Sequence, residues 1–146
     1  MNAKRYLAVL LFGAWQAAVA GDMPVVDLSA GVHRIEAEVA HTHRARTQGL
    51  MRRQSMPTNH GMVFVWPEEG RHCMWMRNTD LPLSVAFLDD GGRIVNIADM
   101  TPRTDDVHCA AKPVRYALEM NQGWFAARRL ERGARIAGLE KLPPAE

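Results

Sequence analysis

The chain has 146 residues, of which 47% are apolar and 23% charged. That is room for one domain with a real core, and it excludes a disordered tail. The formal charge is +2, from 18 basic and 16 acidic residues. Lys4 and Arg5 lie in a segment expected to be removed, and eighteen less two leaves sixteen basic residues against sixteen acidic. This balance argues against non-specific nucleic-acid binding, which needs clustered Lys and Arg.

Lys4 and Arg5 open the chain with positive charge, and Tyr6 to Ala14 is almost wholly apolar. Ala18-Val19-Ala20 then offers a small-x-small cleavage pattern. The stretch has the length of a secretory signal and is short for a bilayer span. Residues 1–20 therefore read as a cleavable signal peptide, cut after Ala20. The mature protein is expected in the periplasm or outside the cell, without membrane attachment. Residues 21–31 read as a lead-in with a short strand, 32–139 as one β-rich domain, and 140–146 as a loose tail.

In chain order, Val32 to Val39 alternates, with Ile35, Ala37 and Val39 on one face and Arg34, Glu36 and Glu38 on the other. This predicts a half-buried strand. Thr42 caps a predicted helix running to about Met51, with Gly49 near its end. Met62 to Trp66 is apolar on both faces and predicts a central strand stopped by Pro67. A second apolar strand is predicted at about His72 to Met76, before the irregular link Asn78 to Pro82. Val85–Leu88 and Arg93–Met100 flank Asp89-Asp90-Gly91-Gly92, a hairpin signal. Arg115 to Met120 alternates, with either Tyr116, Leu118 and Met120 or Ala117 and Glu119 inward. Asn121 caps a second predicted helix, Gln122 to about Arg132, ended by Gly133. Ala134 to Leu139 is the last predicted strand.

Cys73 and Cys109 are the only cysteines. In an oxidising compartment such a pair predicts a disulfide, here closing a loop of about 37 residues. No Cys-x-x-Cys motif supports a redox role.

Four motifs occur in order: Thr42…Gly49-Leu50-Met51-Arg52, Gly61-Met62-Val63-Phe64-Val65-Trp66, Trp75 to Leu83, and Arg115 to Gly123. The series closely resembles the family catalogued as domain of unknown function 192, over about Val25 to Gly138. The resemblance implies a mainly β, compact antiparallel β-sandwich or barrel-like domain with two short helices, often exported. It implies no activity. One departure is Ser84, where the family pattern usually has Asp after Pro-Leu.

The densest polar-aromatic cluster is Trp75-Met76-Arg77-Asn78-Thr79-Asp80. Arg77 can clamp a carboxylate or phosphate, Asn78 and Thr79 can orient a ligand, and Trp75 offers a stacking face. The competing reading has Asn78, Thr79 and Asp80 shaping a turn, with Arg77 paired to Glu119 or Asp80. Arg52 and Arg53 can line an anionic pocket with Arg77, or simply face water. Glu119, in an apolar strand, is a structural partner of Arg, a side chain facing water, or a carboxyl with a raised pKa.

These residues define the leading reading, a binding module for a small polar or anionic ligand, carbohydrate included. Its candidate residues are Trp75, Arg77, Asn78, Thr79 and Glu119. An alternative is a hydrolase or lyase using Glu119 or Asp80 with Arg77. Another is a periplasmic copper-binding protein, with His72 and His108 as weak ligand candidates beside Met74 and Met76. No cofactor is otherwise indicated, and the partner is a small molecule or a protein. No Gly-x-Ser-x-Gly, His-Glu-x-x-His, Walker or Gly-x-Gly-x-x-Gly motif is present.

Overall fold

The computed structural model describes residues 23–146, so the expected signal peptide lies outside the described residues. Strand β1 (Val25–Ala30) pairs along its whole length with β2 (His33–Ala40), from Val25 opposite Glu38 to Ala30 opposite His33. The short strand expected within residues 21–31 is thus β1, which lies inside the sheet between β2 and a last short strand. In β2, Ile35, Ala37 and Val39 are buried, whereas Arg34 and Glu36 are exposed. One apolar face dictates that alternation.

Helix α1 (His43–Gln48) is shorter than expected but starts and stops where its signals stand. The Ala45 N–H donates to Thr42 Oγ1 at 3.1 Å, and Gly49 (φ +47°) ends the helix. A six-residue helix depends on such caps. Thr42→Ala is expected to lower stability by about 1 kcal/mol, and Thr42→Ser to restore it. Midpoints of urea unfolding measure both.

Strand β3 (His60–Gly70) runs through Pro67, which does not stop it. Its register slips between Val65 and Gly70, an irregularity that accommodates the missing proline N–H. The strand expected over residues 72–76 is only β4 (Cys73–Met74), because the chain then bends toward Asn78 (φ +56°). Strands β5 (Leu83–Leu88) and β6 (Ile94–Met100) form the expected hairpin. Asp89 holds its turn, with Oδ1 accepting from the N–H groups of Gly91 and Arg93. Strand β7 (His108–Cys109) pairs with β4, and β8 (Val114–Asn121) lies between β3 and β5.

The second helix is much shorter than the sequence predicts. It is α2 (Trp124–Ala127), following Gly123 (φ +81°). Asn121 does not cap it; its amide donates to the carbonyls of Met56 and Pro57. Arg129 turns left-handed (φ +56°) and prevents continuation. The last strand, β9 (Ile136–Ala137), is likewise short, and a 3-10 turn, Leu139–Lys141, follows. The expected loose tail is held in place. Leu142 and Ala145 pack on the core, and the Glu146 N–H donates to the His41 carbonyl.

Seven strands form one sheet in the order β6-β5-β8-β3-β2-β1-β9, antiparallel except for β2 with β3. The sheet curls into a half-barrel, and its two ends meet at one corner. There Arg93 bridges Arg135, the Ile136 N–H donates to Gly92 O, and the Ile94 N–H donates to Ala134 O. A Cβ on Gly92 would lie 2.1 Å from Ile136 O, so this seam requires glycine.

Two apolar clusters follow from the curl. All seven strands contribute to the first, from Leu28 and Ile35 through Val63, Leu118, Leu88 and Ile94 to Ile136. A cluster reached from both ends of the sheet is the barrel interior. The second covers the outer face, where Phe64, Val85, Phe87 and Ala117 meet Leu50, Met74, Met76 and Leu81 from the overlying segments. Among the described residues, no helix is long and apolar enough to cross a membrane.

Candidate functional site

Three of those overlying segments meet at one point. They are the loop after α1, the link Met76–Asp80, and the loop after β6. Their backbones are tied together. The Arg52 N–H donates to Asn78 O (2.9 Å), the Arg103 N–H to Thr79 O (3.1 Å), and the Met76 N–H to Thr104 O (3.2 Å). Four non-glycine residues among those described have positive φ, and three of them stand here: Arg52 (61°), Asn78 (56°) and Arg103 (57°). Asparagine tolerates this geometry, but each arginine costs roughly 1 kcal/mol to hold there.

These segments enclose a cleft of about 380 Å³ lined by Arg52, Arg77, Asn78, Asp80, Arg103 and Asp105. Arg77 Nε donates to Asp105 Oδ1 at 2.9 Å, and its guanidinium lies 4.3 Å over the Trp75 ring. Arg103 Nε donates to Asp80 Oδ1 at 2.6 Å, and Gln54 donates to the other oxygen. The Arg103 guanidinium holds the Asp80 carboxyl below its usual range, with Gln54 adding a smaller pull. Among the described residues, Arg52 enters no ion pair. The cleft therefore carries three cations against two anions, on main-chain segments that are tied to one another.

The expected site residues separate into two places. Arg77 and Asn78 line the cleft, joined by Arg52, and Trp75 stands beside it under the Arg77 guanidinium. Thr79 is buried beneath it, and its hydroxyl bonds back to Arg77 O, a turn-shaping role. Glu119 does not reach the cleft. It lies on the outer face of the sheet, flanked in register by Met62 and Val85, and is 3% exposed. Burial alone pushes its carboxyl up to about 8. Arg77 accordingly pairs with neither Glu119 nor Asp80. Arg53 is occupied elsewhere, in a two-pronged pair with Glu38. Arg103 and Asp105, in the polar loop after β6, are the members that sequence reading missed.

Beside the cleft, Cys73 and Cys109 form the expected disulfide, directly opposite each other in the β4–β7 ladder. The same register sets His108 across from Met74, so the two histidines are not direct partners. The His72 ring stacks on Trp66 at 4.1 Å and bonds to Glu68 O. Among the described residues, no group of three His, Cys, Asp or Glu side chains is placed to hold a metal ion. Ser84 is buried near the mouth of the barrel. Its hydroxyl donates to Asp99 (2.5 Å) and accepts from the Gly123 N–H.

Fold and site together define a small disulfide-bonded β half-barrel with an arginine-rich surface cleft. Residues 25–138 match the family of domain of unknown function 192, described as an uncharacterized ACR family, and the chain belongs to it. No curated protein matches the chain. Similar solved structures include two crystal structures. One, from Novosphingobium aromaticivorans DSM 12444, is of a protein of unknown function. It is 29% identical with a TM-score of 0.77, covering 83% of this chain and 89% of that one. The other, from Sinorhizobium meliloti 1021, is described as a proposed transcription regulator. It is 34% identical with a TM-score of 0.72, covering 77% of this chain and 90% of that one.

Proposed function

We propose that the protein is an exported binding module whose arginine-rich cleft holds a small polar anion. One observation carries the reading. Three non-glycine residues in the left-handed region converge on one polar cleft. Strain of this kind persists where the surroundings enforce it, and it gathers at ligand sites. The forks of Arg52 and Arg77 suit a carboxylate or phosphate. Export is supported by the leader pattern of residues 1–20 and by the Cys73–Cys109 bridge.

Catalysis finds less support. Asp80 is held ionised by Arg103, and Glu119 lies outside the cleft, so no acid–base pair is assembled. Copper binding needs ligands that converge, and His72 is engaged with Trp66. The description of the S. meliloti relative brings nucleic acid into view. The balanced charge of this chain weighs against it, as do the aspartates paired with Arg77 and Arg103.

Melting temperature in millimolar phosphate, citrate and galacturonate tests the reading. At least one anion is expected to raise it saturably. Arg77→Ala and Arg52→Ala should each weaken that binding about 10- to 100-fold, an ordinary loss for a charge-assisted bond, with the circular dichroism spectrum unchanged. No shift with any of the anions would overturn it.

A further inference from the structure

The cleft does not stand alone. A groove of about 480 Å³ lies beyond α1, with Trp66, His72 and Trp75 among its walls. A third depression, of about 560 Å³, follows the exposed face of α1. The three share their borders. His43 and Thr47 line both the groove and the helix depression, and Arg52 lines both that depression and the cleft. On the other side, Trp75 lines the groove and Arg77 the cleft, and the two are stacked. The three depressions adjoin around α1, and together they make a tract that is aromatic at one end and arginine-rich at the other. It is at least as long as α1, about 9 Å at 1.5 Å per residue.

We infer that this tract binds an acidic oligosaccharide, with a sugar ring against Trp75, further units beside the Phe64–Trp66–His72 stack, and a carboxylate in the cleft. The inference rests on the anion-binding reading above and extends it to a ligand of several sugar units. Three features select this class. Flat aromatic faces suit the apolar faces of sugar rings. Asp80, Asp105, Asn78 and Gln48 offer acceptors and donors along the path, as a hydroxyl-rich ligand requires. The charge is positive but partly offset: Arg77 and Arg103 each face an aspartate and Arg46 is spent on backbone carbonyls, which leaves Arg44 and Arg52 without an acidic partner among the described residues. A nucleic-acid strand also stacks on aromatic rings, but it would set repeated phosphates against those carboxylates. A peptide adding as a strand could pair only along the groove, where β3 and β4 form a wall, because the depression and the cleft are built from a helix and loops.

Calorimetric titration of the oxidised protein tests this. The probes are galacturonate monomer, hexamers of galacturonate and mannuronate, neutral cellohexaose, and a thymidine hexanucleotide. At least one acidic hexamer should bind ten-fold or more tighter than galacturonate monomer, and tighter than the other two hexamers. Trp75→Ala should remove that advantage. Thr47→Trp, at an exposed helix position between the groove and the depression, should also remove it by blocking the path. It should leave the monomer bound as before. Arg77→Ala should weaken both. Equal binding of monomer and acidic hexamers, or an advantage that survives Thr47→Trp, would overturn the extended site and leave the anion cleft standing. Preference for cellohexaose or the oligonucleotide would overturn the ligand class. No binding by any probe, monomer included, would overturn the oligosaccharide inference, and the anion reading would fall with it if phosphate and citrate also leave the melting temperature unchanged.

Discussion

Glu119→Gln is expected to flatten the pH dependence of stability between about pH 5 and pH 8, where the native protein should weaken steadily. The Glu119 carboxyl lies between Met62 and Val85, under a layer that includes Leu50, Met76 and Leu81. Water is excluded there, and burial raises its pKa from the usual 4.5 to about 8. In the unfolded chain the same group loses its proton near 4.5. Between these values the folded protein holds a proton that the unfolded chain has released, so rising pH favours unfolding. The stabilisation is complete below about 4.5 and is lost as pH climbs through 8. Each tenfold difference in proton affinity between the folded and unfolded chain is worth about 1.4 kcal/mol, so the loss amounts to a few kcal/mol. Glutamine keeps the shape and cannot ionise. Urea midpoints at pH 5, 6.5 and 8 should fall for the native protein and fall much less for Glu119→Gln. Parallel curves would mean that the carboxylate is stabilised by a partner.

Why the sequence misplaced Glu119 is a matter of layers. Alternation in β2 reads cleanly because one side of that strand meets water. In β8 both sides are covered. Leu118 and Met120 face the barrel interior, and Ala117 faces the outer cluster. No periodicity distinguishes a carboxyl beneath a loop layer from one in a cleft. The hairpin at Asp89–Gly92 was readable because its turn chemistry is local. The helix expected over residues 122–132 failed for the opposite reason. Trp124 and Phe125 bury into the barrel core, and Arg129 takes a left-handed backbone, so tertiary packing overrides helical propensity. The cleft was half visible. Arg52, Arg77 and Asn78 stand out by residue type and position. Asp105 lies 28 residues from Arg77, and only the ladder that begins at Cys73–Cys109 brings the two together.

That ladder is where loss of a covalent bond should matter most. Reduction of Cys73–Cys109, or Cys73→Ala with Cys109→Ala, is expected to cost about 3–4 kcal/mol, from the entropy of a loop this long. The bond closes 36 residues of separation across a sheet of only two residue pairs. Two pairs do not hold together unaided in water. The consequence should reach the cleft. Trp75 and Arg77 follow Cys73, and Asp105 precedes Cys109 on the facing segment, so the Arg77–Asp105 pair continues the same antiparallel approach. With the bridge open, the two segments keep that exposed ion pair and a few backbone bonds, among them Ala110–His72, Met76–Thr104 and Arg103–Thr79, and an exposed ion pair contributes little. Urea midpoints with and without a thiol reductant should differ for the native protein and coincide for the double alanine variant. Anion affinity should fall several-fold on reduction, while the seven-stranded sheet keeps its circular dichroism signal. A stability loss with unchanged affinity would show that the ties of Arg52 to Asn78 and Arg103 to Thr79 hold the cleft without β4 and β7. The strained arginines would then be its principal support, and replacing Arg103 with glycine should preserve that backbone while removing the side chain's part in binding.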